Sequence, residues 1–289
     1  MIFIIRMNIE LTPQQKEILI GHLLGDGGFI LGKRCINPRF VIGRSAKDFE
    51  YTLWSSKILH NLLGSNGISY FDVYDKRTKR IYKRITLRTK SLKELLPFFQ
   101  QWYPENKKIV PSSIKLTPLI VAVWFADDGW ISCRKSKKDS GELCNTHYYE
   151  CGFSTNGFDY DEVVLLRNLL TTAIGVEFHI YKTKPNCKKG YIIRHSTKGT
   201  IALINYIKNI FPPLIRKSNI WKKGVDLWKK EWYPKCIFCN SSNIHHIGKN
   251  KMGSNQFKCI SCNKNYRDVY KQLQGGVKKA KFINNIYVK

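Results

Sequence analysis

Apolar residues recur at helical spacing twice in this chain, each time behind the same kind of start. Leu11-Thr12-Pro13-Gln14-Gln15 offers Thr12 as an N-cap, Pro13 at the first helical position and Gln15 to complete a capping box. Ile18, Leu19, Leu23 and Leu24 follow as packing positions. Gly21 and Gly25 leave one side of that helix bare, which costs helix propensity and lets another backbone approach. The helix is expected to end at Asp26, before Gly27-Gly28. A second helix, 117–128, starts at Thr117-Pro118 and ends at Asp127-Asp128-Gly129. A carboxylate at a helix C-terminus is disfavoured by the macrodipole, so a cation is expected beside each. Two small-faced helices of this kind can pack together and set two carboxylates side by side.

The stretches between these helices carry a matching order. After the first, 29–34 and 38–45 read as a hairpin, 47–63 as a helix stopped at Gly64, 70–74 and 80–89 as strands, and 91–101 as a helix. After the second, 130–133 and 148–154 read as strands flanking a polar insertion, and 160–174 as a helix with Asp159 or Asp161 at its start and Gly175 at its stop. Strands at 177–182 and 190–195 and a helix at 199–211, ended by Pro212-Pro213, complete the set. The fold class predicted is α+β: two pseudo-symmetric α-β-β-α-β-β-α repeats, 8–110 and 111–217, an internal duplication with little sequence identity. A basic aromatic linker helix at 218–235 is expected from Trp221, Trp228 and Trp232, and a zinc ribbon with a basic tail at 236–289.

Composition narrows the partner. The chain has 289 residues, 43% of them hydrophobic, which argues against disorder throughout. Lys and Arg number 49 against 21 Asp and Glu, a formal net charge of +28, and nucleic acid is the natural polyanion to relieve it. A basic ribosome-associated protein is the bland alternative. No segment approaches a transmembrane span, and Met1 to Ile5 is too short for a signal peptide, so a location inside a cell or organelle is expected.

The positive charge is concentrated on the strands. Lys33, Arg34, Arg39 and Arg44 lie in the first pair, Lys83, Arg84 and Arg88 in the second, and Lys182 and Arg194 in the second repeat. Ile85 and Leu87 alternate with Arg84, Thr86 and Arg88, predicting one packed face and one basic face. Two such sheets would make a concave basic surface able to read bases and hold phosphates. In the C-terminal part, Cys236-x-x-Cys239 and Cys259-x-x-Cys262 suit tetrahedral Zn²⁺ bound by four thiolates, with His245 and His246 read as surface residues.

Phosphodiester hydrolysis needs an activated water and neutralisation of developing charge, which carboxylates holding divalent ions supply. Asp26 and Asp128 are the candidate acids, each immediately before a helix-ending glycine. Gly25 and Asp127, one residue earlier, could complete the coordination of Mg²⁺ through backbone carbonyls. Asp127 is ambiguous, either a ligand or a local cap. Lys108 and Lys217 are the candidate basic groups, with Lys107 and Arg216 competing.

LIGHLLGDG (19–27) and VAVWFADDG (121–129) resemble the paired LAGLIDADG motifs of homing endonucleases, specifically the monomeric double-motif class of group I introns. Lys107-Lys108-Ile109-Val110-Pro111 resembles the basic segment that commonly precedes the second motif. The resemblance runs from Leu11 to about Lys217 and departs from the family letters at His22, Gly25 and Val123. It implies motif helices at a central interface and saddle-shaped sheets straddling a long double-stranded DNA site. It also implies Mg²⁺-dependent double-strand cleavage across the minor groove, leaving short 3′ overhangs. The motif acids fall on Asp26 and Asp128, the basic active-site positions near Lys108 and Lys217, and polar strand-end positions near Arg44 and Asn156. Two rivals remain: an RNA maturase assisting group I intron splicing, and a noncatalytic zinc-ribbon DNA-binding regulator.

Overall fold

The computed structural model describes residues 10–137, 143–183, 190–210, 238–239, 241, 243–249 and 255–267. The chain divides into two compact units, Met1–Val225 and Asp226–Lys289. Both repeats lie in the first unit. The expected linker helix falls outside the described residues, as do Lys217 and Cys236.

The first repeat runs α1 (Pro13–Leu24), β1 (Gly27–Ile30), β2 (Arg39–Ser45), α2 (Phe49–Ile58), β3 (Leu63–Asp75), β4 (Arg80–Thr89) and α3 (Leu96–Trp102). The second runs α4 (Pro118–Asp128), β5 (Gly129–Lys137), β6 (Leu143–Phe153), α5 (Tyr160–Ile174), β7 (His179–Lys182), β8 (Tyr191–His195) and α6 (Thr197–Ile207). Each repeat builds one antiparallel sheet in the same spatial order, β1-β2-β4-β3 and β5-β6-β8-β7. The expected duplication is therefore present in topology.

The start signals act as read. Thr12 Oγ1 accepts from the Gln15 N–H at 3.2 Å while Gln15 Oε1 accepts from the Thr12 N–H at 3.1 Å. Thr117 Oγ1 accepts from the Ile120 N–H at 3.3 Å. The Asp159 N–H donates to Glu162 at the start of α5, which ends at Gly175 with φ +78°, a left-handed value that favours glycine. Glu162 also accepts from the Val110 N–H at 2.8 Å, tying the segment between the repeats to the second one.

Boundaries differ where local patterns compete. The helix expected over 47–63 is ten residues long, and Gly64 lies inside β3 instead of stopping a helix. Short 3-10 turns flank it, because the chain must turn back at Leu59 to feed the strand. The helix expected over 91–101 begins as a 3-10 turn and becomes α-helical only at Leu96, with Pro97 in its first turn. The insertion between β5 and β6 is mostly strand: the two continue pairing out to Lys137 and Leu143, beyond the expected ends at 133 and 148. Backbone pairing satisfies that ladder whatever the side chains, so an apolar pattern does not reveal it.

The core lies between sheets and helices, with α1 packed on α4 at its centre. Every residue from Ile120 to Ala126 is buried, as are Ile18, Leu19, Leu23 and Leu24. Phe40, Ile42, Ile85 and Leu87 form the inward face of the first sheet, and Ile131, Cys151, Phe153 and Ile193 that of the second. The second unit holds β9 (Ile244–Lys249), β10 (Asn255–Cys259) and β11 (Asn265–Arg267) in one antiparallel sheet with a small core of Ile244, Phe257 and Cys259.

Candidate active site and nucleic-acid interface

The bare face of α1 meets α4. A Cβ on Gly21 would stand 2.6 Å from Val123 Cβ and 3.0 Å from the Ile120 carbonyl oxygen, and one on Gly25 would overlap Asp127 Cβ. No side chain fits at either α1 position without separating the helices. Both helices lead into strands, β1 and β5, directly after this approach, so Asp26 and Asp128 sit at neighbouring helix ends, each before the glycine that opens a strand. The Tyr51 hydroxyl, on α2, donates to the Val123 carbonyl at 3.3 Å and ties the first repeat to α4 again.

Asp127 is not exposed at this junction. Its side chain is wholly buried and accepts from Arg44 Nη2 on Oδ1 at 2.9 Å. Oδ2 accepts from His22 Nδ1 at 2.8 Å and from the Asp26 backbone N–H at 3.3 Å. Burial is the largest influence on His22 and pulls its pKa below the usual value, against Asp127, which raises it. Ser55 Oγ, which donates to the Tyr51 carbonyl at 3.1 Å, lies 3.1 Å from Nε2 on the other side of the ring. Burial also works against the Arg44 charge, but Asp127, Tyr51, Asp26 and Asp48 outweigh it and raise its pKa. The guanidinium lies 4.4 Å over the Tyr51 ring, and its Nε is 3.8 Å from Asp26 Oδ2. Asp26 is the open member of this set, with its side chain 32% exposed.

Lys108 enters from the segment after α3. Its ammonium donates to the Gly27 carbonyl at 3.0 Å, placing it at the start of β1. Burial lowers its pKa, opposed by Asp128 first and then Asp127 and Asp26. The expected cation beside the helix ends is thus present twice, as Lys108 and Arg44. Lys107 is turned elsewhere and pairs with Asp159 at 2.7 Å on the surface.

Strand alternation sorts the basic residues expected on the nucleic-acid face. Arg39, Arg84 and Arg88 share the face opposite Ile42 and Leu87, and Lys33, Arg34 and Asn156 are exposed in the connections. Arg194 stands on the corresponding face of the second sheet, held by Glu150 at 2.8 Å with its guanidinium 3.4 Å over the Tyr181 ring. Three expectations require correction. Arg44 is 3% exposed, because Phe40, Ile42 and Arg44 alternate on the inward face and Asp127 receives its charge. Lys83 shares the face of Ile85, opposite Arg84, and Lys182 shares that of Ile193, opposite Arg194, so neither lies with the other basic residues. His22, Tyr51 and Ser55 were not expected at the site. The available signal was a histidine within an otherwise apolar helix, together with an extra acid at 127.

In the second unit, sulfur atoms of Cys239, Cys259 and Cys262 lie within 4.8 Å of one another, the spacing of a shared metal ion. Cys259 is fully buried and its N–H donates to the Lys264 carbonyl at 2.9 Å. His245 is exposed, as expected.

The LAGLIDADG DNA endonuclease family profile matches residues 16–203. The cytochrome b mRNA maturase bI2 of Debaryomyces hansenii is 26% identical over 187 residues, 62% of this chain and 64% of that protein, so the chain spans just under two thirds of its length. The DNA endonuclease I-ChuI of Chlamydomonas applanata is 30% identical over 157 residues, 50% of this chain and 70% of the enzyme. Among solved structures, the homing endonuclease I-WcaI bound to its DNA recognition sequence is alike in fold, with a TM-score of 0.60 at 21% identity over 72% of this chain and 86% of that one. A profile match across more than half the chain, over the stretch that holds both glycine-seamed helices and both sheets, places it: the chain belongs to the LAGLIDADG DNA endonuclease family.

Proposed function

We propose that this protein is a site-specific homing endonuclease, acting as a monomer on a long double-stranded DNA target and leaving short 3′ overhangs. The observation that carries the reading is the pair of acidic helix ends, Asp26 and Asp128, brought together by the glycine face of α1 beneath two like-ordered sheets. Internal duplication supplies the second half-site that a dimer would otherwise contribute. Arg39, Arg84, Arg88 and Arg194, on the outward sheet faces, would contact phosphates and base edges.

The donor chemistry at the junction fits Mg²⁺: hard carboxylate oxygens, one of them partly open to solvent, with the backbone carbonyls of Gly25 and Asp127 one residue earlier. When bound there, Mg²⁺ supplies charge neutralisation at the phosphate and a more acidic water. The chain's own contribution is to hold the two carboxylates adjacent and bring cations to them. Lys108, partly desolvated beside Asp128, is placed to offset charge at a scissile phosphate, and Lys217 would serve the second repeat. Arg44 Nε and Nη1, buried without a hydrogen-bond partner among the described residues, are donors that an enclosed water would satisfy. A Zn²⁺ ion on Cys236, Cys239, Cys259 and Cys262 would fold the small second unit as an auxiliary nucleic-acid contact. The reading places the protein inside a cell, in a bacterial or phage-infected cytoplasm or an organelle matrix. Among the described residues no helix is long and apolar enough to cross a membrane.

The test is cleavage selection. A randomised duplex library incubated with the protein and Mg²⁺ yields cut molecules whose ends give site and overhang. Recovery of one long consensus cut on both strands is expected, and Asp26→Asn and Asp128→Asn retain binding to it without cutting. The same library uncut under all metal conditions would overturn the reading. An intron RNA maturase is the second reading, favoured by the 26% identical maturase relative, and is tested by splicing of the intron that holds the gene.

A further inference from the structure

We propose that His22 is a positioning residue that holds the Asp127 carboxylate on Arg44, away from the cleavage centre, so that Asp128 is the acid that answers Asp26. The inference rests on the endonuclease reading above and adds what decides between two adjacent aspartates.

Four observations carry it. The His22 ring is wholly buried and lies 2.8 Å from Asp127 Oδ2 and 3.1 Å from Ser55 Oγ, so it bridges α1, α2 and α4. Phe40 and Tyr51 flank the ring at 6.3 and 5.8 Å between centroids, which fixes its plane. Asp127 receives donors from His22, Arg44 and the Asp26 N–H, so the side chain is committed on both oxygens. Matching 19–27 to 121–129 puts Trp124 at the position of His22 and Gly25 at that of Asp127. Trp124 Nε1 is buried with no hydrogen-bond partner among the described residues, so the second repeat has no such clamp. The clamp is one-sided, and it acts on the one residue that could compete with Asp128.

Without His22, Asp127 loses the side-chain donor on Oδ2, and the end of α4 that carries Asp128 loses one of its ties to α1. Partners that orient ligands from behind typically contribute about 10- to 100-fold to metal affinity or activity. Two replacements separate orientation from filling space. Asparagine puts an amide donor near the place of Nδ1, whereas glutamine puts one near Nε2.

The experiment uses the full-length protein with His22→Asn, His22→Gln and His22→Leu. Mn²⁺ binding is read by electron paramagnetic resonance, and single-turnover nicking of each strand on a duplex recovered by wild-type selection. Thermal melting and duplex affinity in Ca²⁺ confirm folding and docking. His22→Asn is expected to stay near wild type, while His22→Gln and His22→Leu lose roughly 10- to 100-fold in Mn²⁺ affinity and cleavage with duplex affinity retained. Equal Mn²⁺ affinity and nicking rates in folded His22→Leu would overturn the proposal, as would a Gln variant that performs as well as Asn. Failure of the wild-type protein itself to bind Mn²⁺ or cut any duplex defeats the endonuclease reading, a result distinct from wild-type activity that His22→Leu preserves.

Discussion

Replacing Gly21 with alanine sets two quantities against each other. In an open helix the change gains about 1 kcal/mol of propensity. At this seam the new methyl would meet Val123 Cβ at 2.6 Å, and Cβ cannot be moved by a rotamer change. Ordinary carbon contacts need about 3.5–4.0 Å, so α1 and α4 must part by about 1 Å. Overpacking of this kind costs about 1–3 kcal/mol, leaving Gly21→Ala somewhere from neutral to about 2 kcal/mol less stable. Activity should fall much further, because a shift of about 1 Å in reacting groups can cost about 100-fold. Urea unfolding gives the stability, and single-turnover cleavage at saturating protein gives the rate. Combining Gly21→Ala with Val123→Gly removes the valine contacts, leaving the new methyl only the Ile120 carbonyl at 3.0 Å, and should recover part of the lost rate. A Gly21→Ala protein that is stabilised by about 1 kcal/mol and cuts at the wild-type rate would refute the close-packed seam.

Three further outcomes follow from the same geometry. Asp127→Ala leaves the buried Arg44 guanidinium without its main counter-charge and should destabilise the protein by about 3–5 kcal/mol in urea unfolding, against near-neutral stability for Asp26→Asn. Burial pushes the Cys151 thiol up to about 11, whereas Cys35 is exposed. Brief iodoacetamide treatment of the native protein at pH 8 should therefore alkylate Cys35 and leave Cys151 intact by mass spectrometry of peptides. Cys259→Ser should remove zinc measured by atomic emission while leaving cleavage of the core target unchanged, since the acids and Lys108 lie in the first unit.

Much of the fold was legible because its signals are local. Thr12, Thr117, Asp159 and Gly175 cap helices through hydrogen bonds a few residues away, and the two small-faced helices point to a seam before any partner is known. The placement of Asp26 and Asp128 beside the ends of α1 and α4, and of Lys108 after α3, is local in the same way. The inward place of Arg44 is written in the strand period, since Phe40 and Ile42 are apolar at alternate positions and Arg44 is next in that series, while its charge alone suggests the opposite face. His22 could not be assigned from its own neighbourhood, because its partner is 105 residues away and its other bond is to a different helix. The extent of β5 and β6 was equally hidden, since backbone pairing carries the ladder there.

The seam also shows why duplication within one chain gives more than two halves. Position 21 of α1 meets its own counterpart, 123, and position 25 meets 127, as residues nearest a twofold axis must. In a symmetric dimer each such pair would be one residue type met by itself, and the room available admits only glycine-sized groups on both sides. A single chain can leave one member bare and enlarge the other, and here the enlarged members are Val123 and Asp127. An acid on the axis of a homodimer would face an identical acid. In this chain it faces Gly25, and the cation that answers it exists in only one repeat. Register places Arg44 two residues past Ile42, which pairs with Gly27, and Thr155 two residues past Phe153, which pairs with Gly129. Thr155 is fully buried and donates to the Tyr191 carbonyl at 2.7 Å, so it carries no charge to the seam. Asymmetry at Gly25 and Asp127 therefore requires asymmetry at Arg44 and Thr155. Introducing Thr155→Arg alone should bury a guanidinium with no counter-charge and destabilise the second repeat by several kcal/mol. A urea midpoint no lower than wild type would show that the seam tolerates charge on either side, and would remove the reason for its one-sidedness.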